Sequence, residues 1–147
     1  MITWNVSTID ELTPRELLSI MILRSDVFVV EQQCIYPDPD TFDIFAHHCY
    51  GYIDNVLVAY ARILPPGTRF TEPSIGRVVT HPEHRNHGYG KQLMQYAIQT
   101  CKQLFPSHSI HISAQCYLIE FYQALGFSTT SEPYDEDGIP HIEMLLD

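Results

Sequence analysis

Apolar positions along the chain change their period several times, and each change marks an element. Ile2 to Val6 alternates weakly and reads as a first strand. Thr13 and Pro14 suit a helix start, and Leu17, Leu18, Met21, Ile22 and Phe28 then fall at helical spacing, predicting a helix over Pro14 to Gln33 with a break near Asp26. Pro37-Asp38-Pro39-Asp40 forces a loop. His48 to Ile53 and Val56 to Leu64 are aromatic and aliphatic runs flanking Asp54-Asn55, a two-residue hairpin turn, so they should pair antiparallel. Pro65-Pro66-Gly67 ends the hairpin, and Ser74 to Thr80 forms a central strand.

Leu93, Met94, Ala97, Ile98, Cys101 and Leu104 mark the buried stripe of a helix that begins near Lys91 and stops before Pro106. Ser109 to Ala114 reads as a strand, and Tyr117 to Leu125 as a short helix ended by Gly126. The chain returns to the sheet from Phe127, passes an acidic turn over Tyr134 to Pro140 and closes with a strand over His141 to Leu146. That order, β-α-β-β-β-α-β-α-β-β, suits an α/β (α+β) fold: one mixed sheet covered by helices on both faces. A chain of 147 residues, 45% hydrophobic, is long enough for one such domain and its core, spanning 1–147.

Between the central strand and the long helix lies Arg85-Asn86-His87-Gly88-Tyr89-Gly90. Glycines let backbone approach a ligand closely, and the first amides of a helix have no intrahelical partner, so this turn can cradle a pyrophosphate. It is not a P-loop, because Arg85 stands where that motif needs glycine and Gln92 where it needs Ser or Thr. Nor is it a dinucleotide fingerprint, whose glycines follow an N-terminal strand as G-x-G-x-x-G. Taken alone, the turn is equally a tight connection.

The run Ile75-Gly76-Arg77-Val78-Val79-Thr80-His81-Pro82-Glu83-His84-Arg85-Asn86-His87-Gly88-Tyr89-Gly90-Lys91 resembles the acetyl-CoA motif of the GNAT superfamily of N-acetyltransferases. Downstream, Ala114-Gln115 and Phe121-Tyr122-Gln123-Ala124-Leu125-Gly126-Phe127 resemble that family's second motif. The segments Leu23-Arg24, Val27 to Cys34, Ile75 to Val78 and Tyr134 to Met144 are similar to its ElaA branch, with Asn86 where glycine is more usual. The resemblance covers nearly the whole chain. It implies a three-layer α/β/α acyl-CoA N-acyltransferase fold whose mostly antiparallel central sheet has six to seven strands.

It also implies a chemistry. Acetyl transfer from a thioester to an amine needs an anchored CoA, a polarised carbonyl, a deprotonated amine and a proton for the departing thiolate. By resemblance, the backbone of Val78, Val79 and Thr80 holds the pantetheine, the amides of Arg85, Asn86, His87, Gly88, Tyr89, Gly90 and Lys91 take the pyrophosphate, and Gln115 joins the cofactor site. Tyr122 matches the tyrosine that protonates the sulfur. Removing the amine's proton falls either to a water chain or to a base, for which Glu31, His47, Glu136, Asp137 and His141 are candidates, Glu31 and Asp137 foremost. Arg24, Arg62 and Arg77 lie on otherwise apolar elements, where an unpaired charge is costly. Arg24 and Arg77, with His47 and His141, are therefore candidates for the acceptor site, and internal ion pairing of the arginines is the equal alternative.

Composition narrows the remaining choices. Eight basic against 18 acidic residues give a formal charge of −10, which argues against nucleic acid and mildly favours a basic amine, small molecule or peptide, as acceptor. No run is apolar for long enough to span a bilayer, and the N-terminus lacks a basic and apolar leader, so no membrane partner and a cytoplasmic location are expected. Cys34, Cys49, Cys101 and Cys116 lack C-x-x-C spacing and read as reduced thiols. His81, His84 and His87 are spaced by three, but Pro82 and the glycines make their segment a loop, and no metal is expected there. The resemblance implies acetyl-CoA as the co-substrate. A non-catalytic acyl-CoA-binding module is the alternative, and the sequence does not choose between monomer and homodimer.

Overall fold

The computed structural model describes residues 1–147. After strand β1 (Thr3–Ser7), helix α1 (Pro14–Arg24) starts where the sequence says it should. The Thr13 hydroxyl accepts from the Glu16 amide at 3.1 Å, the Glu16 carboxylate accepts from the Thr13 amide at 2.8 Å, and Pro14 fills the first turn, where no amide is needed. The predicted break near Asp26 is a change of winding. Ser25–Glu31 continues as a π-helical turn, whose wider coil turns Glu31 towards the glycine turn far along the chain.

Strands β2 (His47–Ile53), β3 (Val56–Leu64) and β4 (Ser74–Thr80) form an antiparallel meander, and β1 pairs on its outer edge. Asp54 and Asn55 both have positive φ, as the hairpin turn requires. Helix α2 (Tyr89–Leu104) crosses back over the sheet to β5 (Ile110–Gln115), followed by a single 3-10 turn and helix α3 (Ile119–Ala124). The chain ends in β6 (Ser128–Thr129), β7 (Tyr134–Glu136) and β8 (Ile139–Leu146).

The sheet has eight strands in the order β1-β2-β3-β4-β5-β8-β6, with β7 also on β8. Only β4 and β5 are parallel. The extra strand, compared with six to seven expected, is β7. The acidic stretch read as a turn is a short hairpin, with only Asp137 and Gly138 turning at φ 53° and 83°. Three paired residues are too few to raise an alternating signal, and their side chains are mostly polar.

An apolar core lies on each face of the sheet. Leu93, Met94, Ala97 and Cys101 of α2 and Tyr122 of α3 pack with Val58, Ile63, Ile112 and Met144 on one side. Ile20, Leu23 and Val27 pack with Tyr50, Tyr60 and Val79 on the other. The stripe read from sequence on α2 is therefore packing. At the chain's end, Gly126 at φ 104° brings backbone against Leu146, where a Cβ would sit 2.9 Å from Cδ1.

Two departures in the middle of the sheet create space. Between Tyr60 and Arg62 the β3–β4 register shifts, so that Ala61 faces both Arg77 and Val78. Arg77 takes the left-handed φ of 51°, and the bulge moves Ile75 and Val79 onto opposite faces. Meanwhile β4 and β5 pair only at Ser74 and His111 and then diverge.

Candidate active site

The divergence of β4 and β5 opens a cleft of about 470 Å³. Val78, Val79 and Thr80 line one wall, and Gln115 and Tyr122 line the other. Beyond the divergent ends, the turn before α2 closes the cleft. Gly88 caps that helix at φ 77° and offers no side chain to its first amides, which remain free for an anion. Gly90 has a second use: a Cβ there would stand in the gap between Thr80 Oγ1, 3.7 Å away, and the Phe121 ring, 4.0 Å away. Its absence keeps the groove open beside the helix end. Of the turn's residues only Arg85 and Gly90 form the cleft wall, while Asn86, His87, Gly88, Tyr89 and Lys91 do not line it.

Tyr122 is only 6% exposed, edge-on to both Phe121 and Phe127. Burial pushes its phenol well above the usual tyrosine range, with the nearby Tyr117 adding to the effect. A phenol that keeps its proton at neutral pH can donate a hydrogen bond to a departing sulfur as negative charge develops there, although its raised pKa makes it a weaker acid than an ordinary tyrosine.

The charged candidates separate into three groups. Glu31 lines the cleft but is clamped by Arg85, whose Nη1 and Nη2 donate at 2.9 and 2.6 Å. The hydrogen bonds from Arg85 hold its carboxyl below the ordinary range, making it a poor proton acceptor. Arg24 does not reach the cleft. It is completely buried, with Nε on Asp38 at 2.8 Å and Nη1 on Asp43 at 2.7 Å. His47 is likewise outside, edge-on to Phe105 at the far end of α2, where burial lowers its pKa.

Arg62 and Arg77 do face the cleft, yet both are engaged from behind. Arg62 Nη1 lies 2.7 Å from Asp40 and 3.1 Å from Asp43, and Arg77 Nε lies 2.9 Å from Asp38, within ion-pair reach though not aligned as a hydrogen bond. Ion pairing, the alternative left open for the arginines, describes all three. Burial alone would raise the Asp43 carboxyl, but the hydrogen bond and charge of Arg24, with the charge of Arg62, outweigh it and hold the group at about 2. Behind the network, His48 receives the Tyr60 hydroxyl at Nδ1 (2.6 Å) and turns Nε2 to the Asp43 carbonyl (3.1 Å).

Asp137 and His141 line the cleft at the β7–β8 hairpin end, together with Glu136. Asp137 sits at the hairpin tip, its carbonyl accepting from the Cys34 thiol at 3.2 Å. Tyr36, Arg69, Phe70 and Ser113 also line this end and were not anticipated. Ser113 was findable, since strict alternation along β5 puts it on the face shared by Gln115. Arg69 and Phe70 lie in an irregular loop whose position no local pattern encodes.

A family model described as an acetyltransferase (GNAT) domain matches residues 45–147. The chain belongs to the GNAT acetyltransferase family. Within it, this domain falls in the ElaA-like branch: protein ElaA of Escherichia coli K12 is 40% identical over 146 residues, covering 98% of this chain and 95% of ElaA. The crystal structure of E. coli ElaA superposes with a TM-score of 0.94 at 39% identity, both chains fully covered. An acyl-CoA N-acyltransferase from Pseudomonas aeruginosa superposes at 0.96 with 38% identity, again over both full chains. A GNAT acetyltransferase from Elizabethkingia anophelis with acetyl-CoA bound shares the fold alone, at TM-score 0.62, 19% identity and 98% and 94% coverage. Membership of the family makes acyl transfer the general chemistry of this GNAT domain. No helix is long and apolar enough to cross a membrane.

Proposed function

We propose that the protein transfers an acetyl group from acetyl-CoA directly to a primary amine while both are bound. The observation that carries this reading is the divergence of β4 from β5, which ends on a helix start without a capping side chain and has Tyr122 in its opposite wall. The gap left by Gly90 fits a ligand that passes from the helix end into the groove. Acetyl-CoA bound to the Elizabethkingia neighbour supports the same choice of donor here.

In this reading, unpaired backbone groups of Val78, Val79 and Thr80 bind the pantetheine as an added strand would, because β5 has moved away from them. Free amides at the start of α2 take the pyrophosphate, and Arg85 adds charge once it leaves Glu31. Acetyl-CoA supplies the activated acyl group. An amide on β4 beside the bulge stabilises the charge that develops on the carbonyl oxygen, and Tyr122 gives its proton to the sulfur. The acidic surface, at a formal charge of −10, favours approach of a cationic acceptor.

The test is an acceptor screen over polyamines, amino acids, aminoglycosides and peptide N-termini, read as CoA thiol release. With a confirmed acceptor, Tyr122→Phe should lower kcat by roughly 100-fold with CoA affinity preserved. Full activity of that variant would end the proton-donor role. CoA binding with transfer to no amine would instead describe a binding module.

A further inference from the structure

We propose that His141 is the base that takes the proton from the incoming ammonium, with Glu136 as the carboxylate that balances the imidazolium formed. The proposal rests on the acetyl-transfer reading and assigns the one step that reading leaves without a residue.

His141 lies where both halves of the reaction can meet. The β5–β8 register puts it beside Gln115, and the β7–β8 register puts it beside Tyr134. It lines the same cleft as Tyr122. Its ring is held on two sides. Tyr134 stacks on it with centroids 6.2 Å apart, and the Tyr134 hydroxyl is itself hydrogen-bonded to Ser113. On the edge, Nδ1 lies 2.7 Å from the carbonyl oxygen of Ile139. A carbonyl only accepts, so Nδ1 carries the hydrogen and the neutral ring presents a bare lone pair at Nε2.

That lone pair lies 3.2 Å from Glu136 Oε2, and Glu136 Oε1 is 3.2 Å from Arg69 Nη2. In the imidazolium Nε2 donates to that carboxylate; in the neutral ring two acceptors face each other, and a donor placed between them relieves the repulsion. A primary ammonium has three N–H bonds and one positive charge, so it can donate to Nε2 and to the carboxylate together. The other candidates lack this arrangement: both oxygens of Glu31 are on Arg85, and His47 does not line the cleft.

The protons balance. One N–H bond of the ammonium breaks, an N–H bond forms at Nε2, and the imidazolium later gives that proton to water. The freed nitrogen lone pair forms the C–N bond as the C–S bond breaks, and the sulfur takes the hydroxyl proton of Tyr122. Nitrogen sheds a second proton in becoming an amide, and this restores Tyr122 through solvent. Ammonium and thioester thus yield amide, thiol and one proton.

The charged and titratable groups that face His141 are Tyr134 and Glu136 from β7, Asp137 from the turn, Arg69 through Glu136, and Cys34 through Asp137; β5 contributes the neutral Ser113 and Gln115. With an acceptor found in the screen, His141→Gln should lower kcat by about 100-fold or more and flatten the acidic limb of the pH profile, with CoA affinity within about twofold. Glu136→Gln should cost about tenfold and move that limb to lower pH, because the imidazolium loses its counter-charge. Wild-type transfer with a His141→Gln variant that keeps over about a third of kcat and an intact acidic limb would overturn the role of His141 and leave acetyl transfer standing. A wild type that binds CoA and transfers to no amine would overturn both.

Imidazole nitrogen NMR of the wild-type protein supplies a readout that needs neither turnover nor a folded variant. Neutral His141 should be protonated at Nδ1, and titration with the accepted amine should shift Nε2. A ring protonated at Nε2, or one insensitive to the amine, would overturn the proposal.

Discussion

Two groups of charges lie within one cleft's reach of each other, and they behave oppositely. Behind the cleft wall, Arg24, Arg62 and Arg77 interlock with Asp38, Asp40 and Asp43, mostly out of water. Along the cleft, Arg85 pairs with Glu31 and Arg69 with Glu136, with side chains that keep 30 to 42% of their surface exposed. In the first group every charge except Asp40 is largely removed from water and has more than one fixed partner, so losing one strands the others. In the second, solvent or a ligand can replace a partner at little cost. Charge that shapes the site is thereby kept apart from charge that changes hands in it.

Breaking the buried group should give the largest effect. Arg24→Met removes the partner common to Asp38 and Asp43 and should cost about 3 kcal/mol or more in chemical denaturation. A loss below about 1 kcal/mol would make the network ornamental. Acid tests the same group without mutation. The Asp43 carboxyl is lowered from 3.8 to about 2, so its contribution is full above the unfolded value and is lost as pH falls through the folded one. Unfolding followed from pH 5 to pH 2 should show roughly 2 kcal/mol lost to this carboxyl, which Asp43→Asn should not show. His48 works in the same direction from a higher pH: burial lowers its pKa below 6.5, so stability falls as acid charges the unfolded ring first.

The exposed pairs should answer in binding instead. Arg85→Gln should leave unfolding within about 0.5 kcal/mol of the wild type while weakening CoA about tenfold by calorimetry. A destabilisation with unchanged CoA affinity would reverse the assignment. The smallest effect is expected of Glu31→Gln, which frees Arg85 for the pyrophosphate. CoA should bind about two- to fivefold more tightly, with kcat nearly unchanged. Loss of turnover in that variant would return Glu31 to the role of base.

Much of this was legible in the order of residues, and the failures share a cause. The periods of α2 and of the β2–β3 hairpin are local, so they survive in sequence. The glycine turn is legible too, because Gly88 needs its positive φ and the helix start follows at once. Arg24 could not be placed, since its partners lie 14 and 19 residues further on, in a segment whose prolines say only that it is not regular. His47 opens β2, a strand that does not line the cleft, and a sequence does not say which strands of a sheet face a ligand. Glu31, a candidate base in the sequence, is held by Arg85. The π-helical turn that carries it to Arg85 has no distinctive residue pattern, and the contact spans 54 residues.

The single β4–β5 rung at Ser74 and His111 also has a mechanical meaning. Strands β1 to β4 with α1 form one leaf of the sheet, β5 to β8 with α3 form the other, and beyond that rung they are joined by side-chain packing beneath α2 and by a few side-chain contacts such as Arg69–Glu136 and Cys34–Asp137, with no further backbone ladder. A ligand lying along the gap restores the cross-links that the divergence removed. A ligand in the groove is then expected to stiffen the join between the two leaves as well as to fill it.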